Sequence, residues 1–97
     1  MRKSTAYQTD LIESLRDAQE AEEYLNAALE ENDPELFLGA LRNVAEAQRG
    51  VASLAEKIKL NRESLYRILS ERGNPEFRSL EALLHALGFR LAVALNR

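Results

Sequence analysis

Apolar residues recur at three- and four-residue spacing through most of this chain and switch to strict alternation only close to position 90. Leu11, Ile12, Leu15, Ala18, Ala21, Leu25, Ala28 and Leu29 predict one long helix or two broken ones reaching about Glu31, preceded by a polar stretch, residues 1–9, expected to fray. Asn32-Asp33-Pro34 is a strong punctuation mark: Asp33 can cap, and Pro34 suits a first helical position because it has no N–H to leave unpaired. Phe37, Ala40, Leu41, Val44 and Ala45 then predict a scaffold helix to about Gln48, stopped by Gly50.

After Gly50 the pattern breaks into two short pieces. Val51, Leu54, Ala55 and Ile58 form one face of a helix of about two turns, and Leu65, Ile68 and Leu69 form the stripe of a second that starts at Asn61, a good N-cap. Two such helices cannot stand alone, so they need a scaffold. The arrangement reads as a helix-turn-helix, with small Ala55 where the helices cross and Leu60 plugging the turn. With Leu65 set inward and about 100° per residue, the outer face carries Glu63, Tyr66, Arg67 and Ser70, with Asn61 and Arg62 at the tip.

Beyond the turn Arg72-Gly73-Asn74-Pro75, Ser79 is expected to cap a helix with Leu80, Leu83, Leu84 and Leu87 on one side and Gly88 as its stop, with Phe77 folded over the same core. In the segment that follows, Phe89, Leu91, Val93 and Leu95 alternate with Arg90, Ala92 and Ala94. Period two after a Gly break predicts a short strand, against the alternative of a short apolar helix or a frayed tail. Nothing else in the chain reads as a strand, so its pairing would come from a second copy in a twofold dimer or from a partner's sheet edge. The fold class expected is all-α, with five or six helices, a central helix-turn-helix and this possible C-terminal strand.

Composition bounds the function. Ninety-seven residues suit one structural domain, with an acidic helical segment over 1–33 packed on a helix-turn-helix part over 34–97. With no cysteine there is neither a disulfide framework nor a thiolate metal site, and no apolar run approaches the ~20 residues that span a bilayer. A cytoplasmic address is expected. His85, the only histidine, lies off the leucine stripe and reads as a surface or packing residue; no phosphate-cradling glycine loop, nucleophile–base pair or metal-ligand spacing occurs. The expectation is a protein with no cofactor, no metal and no enzymatic activity.

Charge changes the picture once it is divided. The net charge is −3, but residues 1–33 hold three basic and nine acidic side chains while residues 34–97 hold ten basic and seven acidic. Between Arg49 and Arg78 seven basic residues face four acidic ones, so the positive excess gathers around the helix-turn-helix, although an ordinary solvated surface gives similar numbers. The expected activity is sequence-specific binding of double-stranded DNA. Arg62 and Arg67 are the candidate base readers, flanked by Asn61, Glu63 and Tyr66; Arg forks onto guanine, Asn onto adenine, and Glu accepts from cytosine. Glu63 also stands four residues before Arg67, the spacing of a helical ion pair that would hold the reader in one rotamer. Ser64, Lys57, Lys59 and the helix N-terminus at Val51 are candidate phosphate contacts.

LAEKIKLNRESLYRILSERGNPEF, then LLHALGFRLAV, with YLNAALEENDPELFLGALRNVAEAQ ahead of them, resemble the Xre-type helix-turn-helix proteins and, within them, the HigA-like addiction-module antidotes, from about Tyr7 to Val93. One position departs: the corner residue that is usually Gly in that family is Lys59 here, a residue that takes a positive φ at a cost of ~1 kcal/mol against Gly or requires a turn built differently. The resemblance implies a lambda-repressor-like fold and an antitoxin that neutralises a RelE-like ribonuclease and represses its own operon. It also gives the acidic outer face (Asp17, Glu20, Glu22, Glu23, Glu30, Glu31) a reading as a dock for a basic toxin, beside the plainer one of a solvated helix face. A freestanding phage-type repressor and a helical protein-interaction module that binds no DNA are the competing readings.

Overall fold

The computed structural model describes residues 2–48, 50–57, 62–70 and 74–96, and within these leaves the side chains of residues 2–5, 51, 52, 62 and 64 undescribed. The described residues form six α-helices: α1 Arg2–Ser14, α2 Ala18–Glu30, α3 Pro34–Gln48, α4 Val51–Lys57, α5 Arg62–Ile68 and α6 Phe77–Ala86. They contain no strand.

Helix α3 is the scaffold. Its predicted stripe of Phe37, Ala40, Leu41, Val44 and Ala45 is buried, and Leu38 joins it. Helices α1, α2 and α4 pack on α3, while α4 in turn packs on α5 and α6. The start of α3 follows its punctuation: the Asp33 carboxylate accepts from the backbone N–H groups of Glu35 and Leu36 at 3.1 and 3.4 Å. Asn32 turns the chain out of α2 at φ 57°, a left-handed conformation that Asn tolerates better than most residues.

The N-terminal apolar run is two helices. Residues 15–17 break it, and Asp17 opens α2 by accepting from the N–H groups of Gln19 and Glu20 at 2.8 and 3.2 Å. Gln48, at the end of α3, locks this corner by donating to the carbonyl oxygens of Leu15 (2.7 Å) and Arg16 (3.3 Å). Residues 2–9 are helical rather than frayed. Leu11 packs on the core and Leu15 is buried within it, and Gln8 donates to the Asn43 side chain at 2.9 Å, so the helix is held at two levels.

Helix α6 departs from expectation at its start and ends as expected. It begins at Phe77 after Glu76, which makes no side-chain cap, so Ser79 lies inside the first turn instead of capping. Phe77 is 67% exposed and does not cover the core: it is in phase with Leu84 but two turns away, past the core's edge. At the other end Gly88 takes φ 94°; its N–H donates to His85 O (3.0 Å) and that of Phe89 to Leu84 O (2.8 Å). This double closure terminates the helix, and glycine is the residue suited to the left-handed position. Residues 89–96 then run as neither helix nor strand. The expected strand is absent among the described residues because a strand needs a second backbone beside it, and this chain supplies none.

Candidate nucleic-acid interface

Helices α4 and α5 have seven residues each, about 10 Å at 1.5 Å per residue, too short to persist without tertiary support. Among the described residues, Leu54, Leu65 and Leu69, fully buried, and Ala55, 4% exposed as a close crossing requires, supply that support. Burying a leucine side chain contributes ~1.5–3 kcal/mol, so these anchors offset the ordering of two short helices.

The anchors fix which way α5 faces. Counting about 100° per residue from buried Leu65, Glu63 and Arg67 project within about 20° of the opposite direction and Tyr66 stands to one side. All three are exposed. Tyr66, at 49%, is large for an uncovered aromatic on a helix of this size. Lys57, in the last turn of α4, is exposed as well. Ser70 is not on this outer face: it is half-buried, and its hydroxyl donates to Arg67 O at 2.8 Å, closing the end of α5.

The expected site therefore divides. Glu63, Tyr66, Arg67 and Lys57 are brought to the surface of one helix pair. Val51, Arg62 and Ser64 lie on helical backbone with side chains outside the described set, and Lys59, Leu60, Ile58 and Asn61 fall outside the described residues altogether. No group of three or more His, Cys, Asp or Glu side chains with metal-binding geometry occurs among the described residues, and His85 is exposed.

Away from α5, one polar chain escaped the sequence reading. Gln8 donates to Asn43 Oδ1, and Asn43 Nδ2 donates to the Tyr24 hydroxyl, each at 2.9 Å, tying α1, α3 and α2 together above the core. Asn43 stands beside Val44 on the edge of the apolar stripe, a position where helical period alone does not separate a solvated residue from a bridging one. On the outer side of α2, Glu20, Glu22, Glu23, Glu30 and the adjoining Glu31 are all exposed. The acidic surface of α2 thus stands on a different helix from the α4–α5 pair, whose described exposed charges are Glu56, Lys57, Glu63 and Arg67.

A family model described as "Probable addiction module antidote protein" matches residues 5–95. The chain is also similar to an uncharacterized protein of Haemophilus influenzae, 36% identical over 88 residues that cover 91% of this chain and 90% of that protein. No solved structure matches it.

Proposed function

The chain belongs to the family of probable addiction module antidote proteins, and on that premise we propose that it is the antitoxin of a two-component module, acting by binding and not by catalysis. In this reading it is an Xre-type, HigA-like antidote of the cytoplasm with two surfaces. Helix α5 enters the major groove of operator DNA, and the acidic face of α2 engages a small cationic toxin of the RelE-like ribonuclease type.

One observation supports the DNA role above the others: Leu65 and Leu69 are fully buried while Tyr66 and Arg67, between them in sequence, are exposed on the same seven-residue helix. A helix pinned from below and polar above is what a groove roughly 12 Å wide admits. In this reading Arg67 forks onto guanine and Glu63 orients it, with Arg62 and Asn61 beside them. Lys57, Lys59, Ser64 and the start of α4 at Val51 take phosphates. A dimer would place two such helices on half-sites about one helical turn apart.

For the toxin, the −6 balance of residues 1–33 favours a cation-rich partner, and complementary charge accelerates encounter. The test is co-expression with the adjacent reading frame. Rescue of growth, co-purification of the two proteins and a salt-sensitive mobility shift of the module's own promoter are expected. Rescue without any shift would remove the repressor role, and a shift without rescue would leave a freestanding repressor.

A further inference from the structure

Residues 90–96 are a described stretch outside the helices in which seven successive residues make no backbone hydrogen bond among the described residues. Phe89 N–H is bound to Leu84 O, but no backbone hydrogen bond within the described residues involves 90–96. The alternating apolar set leaves the core as it goes: Phe89 packs partly against the core, Leu91 is 38% exposed, and Val93 and Leu95 are 99% and 82% exposed. Unpaired backbone together with uncovered large side chains of one parity is the signature of a strand waiting for a neighbour.

We propose that this segment is a dimerisation strand that pairs antiparallel with the same segment of a second copy of the chain, the twofold axis passing at Val93. Leu91-Ala92-Val93-Ala94-Leu95 reads the same in both directions. An antiparallel pair centred on Val93 therefore sets Val93 against the partner's Val93 and Leu91 against the partner's Leu95 on one face. Ala92 faces the partner's Ala94 on the other. Arg90 falls opposite the partner's Asn96, so no like charges stand directly across the pair, an arrangement that would be destabilising.

One further observation favours a second copy over a foreign sheet edge. Beside the segment lies a groove of about 470 Å³ lined in part by Leu25, Leu29, Phe37, Leu84 and Leu91. Its outer wall includes Leu29, 48% exposed. Because Leu91 lines this groove, the residue directly opposite it, the partner's Leu95, is carried over the same wall, and symmetry repeats the contact on the other subunit.

The chain has no cysteine, so single-cysteine variants of the full protein report the register. Residues directly opposite in an antiparallel pair have Cα atoms about 4.5–5.5 Å apart, within disulfide reach, whereas two copies of residue 91 or of residue 95 lie about 13 Å apart along the strands. Under mild oxidation Val93→Cys is expected to convert to covalent dimer, with Leu91→Cys and Leu95→Cys each remaining monomeric alone and cross-linking to one another when mixed. Failure of Val93→Cys to cross-link, or equal cross-linking of all three, would overturn the pairing. A second variant guards the result: Val93→Asp, at a position 99% exposed and so without consequence for the monomer's core, is expected to sediment as a monomer with unchanged helical circular dichroism at concentrations where the parent is a dimer. A Val93→Asp protein that keeps the parent's mass would reject the proposal. Neither assay contains DNA or toxin, so the pairing stands or falls apart from the antidote reading.

Discussion

Helices α2 and α3 and helices α4 and α5 are built on opposite principles. The first pair has thirteen and fifteen residues, each helix opened by an aspartate cap, and α3 alone buries six side chains. The second pair has seven residues per helix and owes its order to leucines pushed into a core that α3 provides. Its outward surface carries Lys57, Glu63, Tyr66 and Arg67. The longer pair therefore supplies the frame on which the shorter one rests, and on the proposed reading recognition falls to the shorter one.

The sharpest way to break this division is Leu41→Ala. Leu41 is fully buried at the middle of α3, and large-to-small changes at such sites cost ~2–5 kcal/mol. Chemical denaturation is expected to show a loss in that range, with DNA binding falling only as the folded fraction falls. A loss under ~1 kcal/mol would mean that α3 is not the keystone.

Arg67→Ala should do the converse. It is expected to weaken binding to the cognate operator by ~1–3 kcal/mol and to relax one base position, with stability changed by no more than the ~0.5 kcal/mol typical of an exposed site. Lys57→Ala serves as its control: a phosphate contact weakens cognate and random sequences alike and lowers the salt slope by about 0.9. Equal losses on cognate and random DNA for Arg67→Ala would strip it of a reading role.

Much of this division is legible in the bare sequence, and the exceptions have physical causes. Asp33-Pro34, Gly50 and Gly88 mark boundaries because each meets a local backbone need: a free N–H to cap, or a positive φ, 80° at Gly50 and 94° at Gly88. The stripe Phe37 to Ala45 is readable because a 3.6-residue period admits one buried face. Ser79 misled because capping preference is local, whereas the helix starts two residues upstream of it, at Phe77. The polar residues 2–9 gave no sign of order, since their helix is held by Leu11, Leu15 and the distant Asn43, contacts that sequence spacing does not reveal. Alternation over 89–95 favoured a strand over a short helix or a frayed tail, and the described residues there form neither helix nor strand, because strand pairing depends on a neighbouring chain.

Asp33→Ala sits lower on the scale. Removing the carboxylate leaves the Glu35 and Leu36 N–H groups without their cap, at a cost of ~0.5–2 kcal/mol. The melting temperature should fall while operator affinity of the folded protein is unchanged, because α5 is not touched.

Gly39→Ala gives the smallest effect and the one of opposite sign. Gly39 lies inside α3 with ordinary negative φ, and a Cβ built on it meets no heavy atom within 4 Å, so neither strain nor space explains a glycine there. In a helix interior glycine is ~0.5–1 kcal/mol less favourable than alanine, largely through the entropy of the unfolded chain. The substitution should stabilise the protein by about that amount and leave DNA affinity alone, since the gain falls wholly within the scaffold. If denaturation shows a loss instead, the surface of α3 around Gly39, which borders Arg42 and Asn43 in a groove with Gln8 and Tyr24, is closer packed than its open geometry indicates. If stability rises and operator binding falls with it, the two halves are coupled through α3, and the separation of stability from recognition fails at its base.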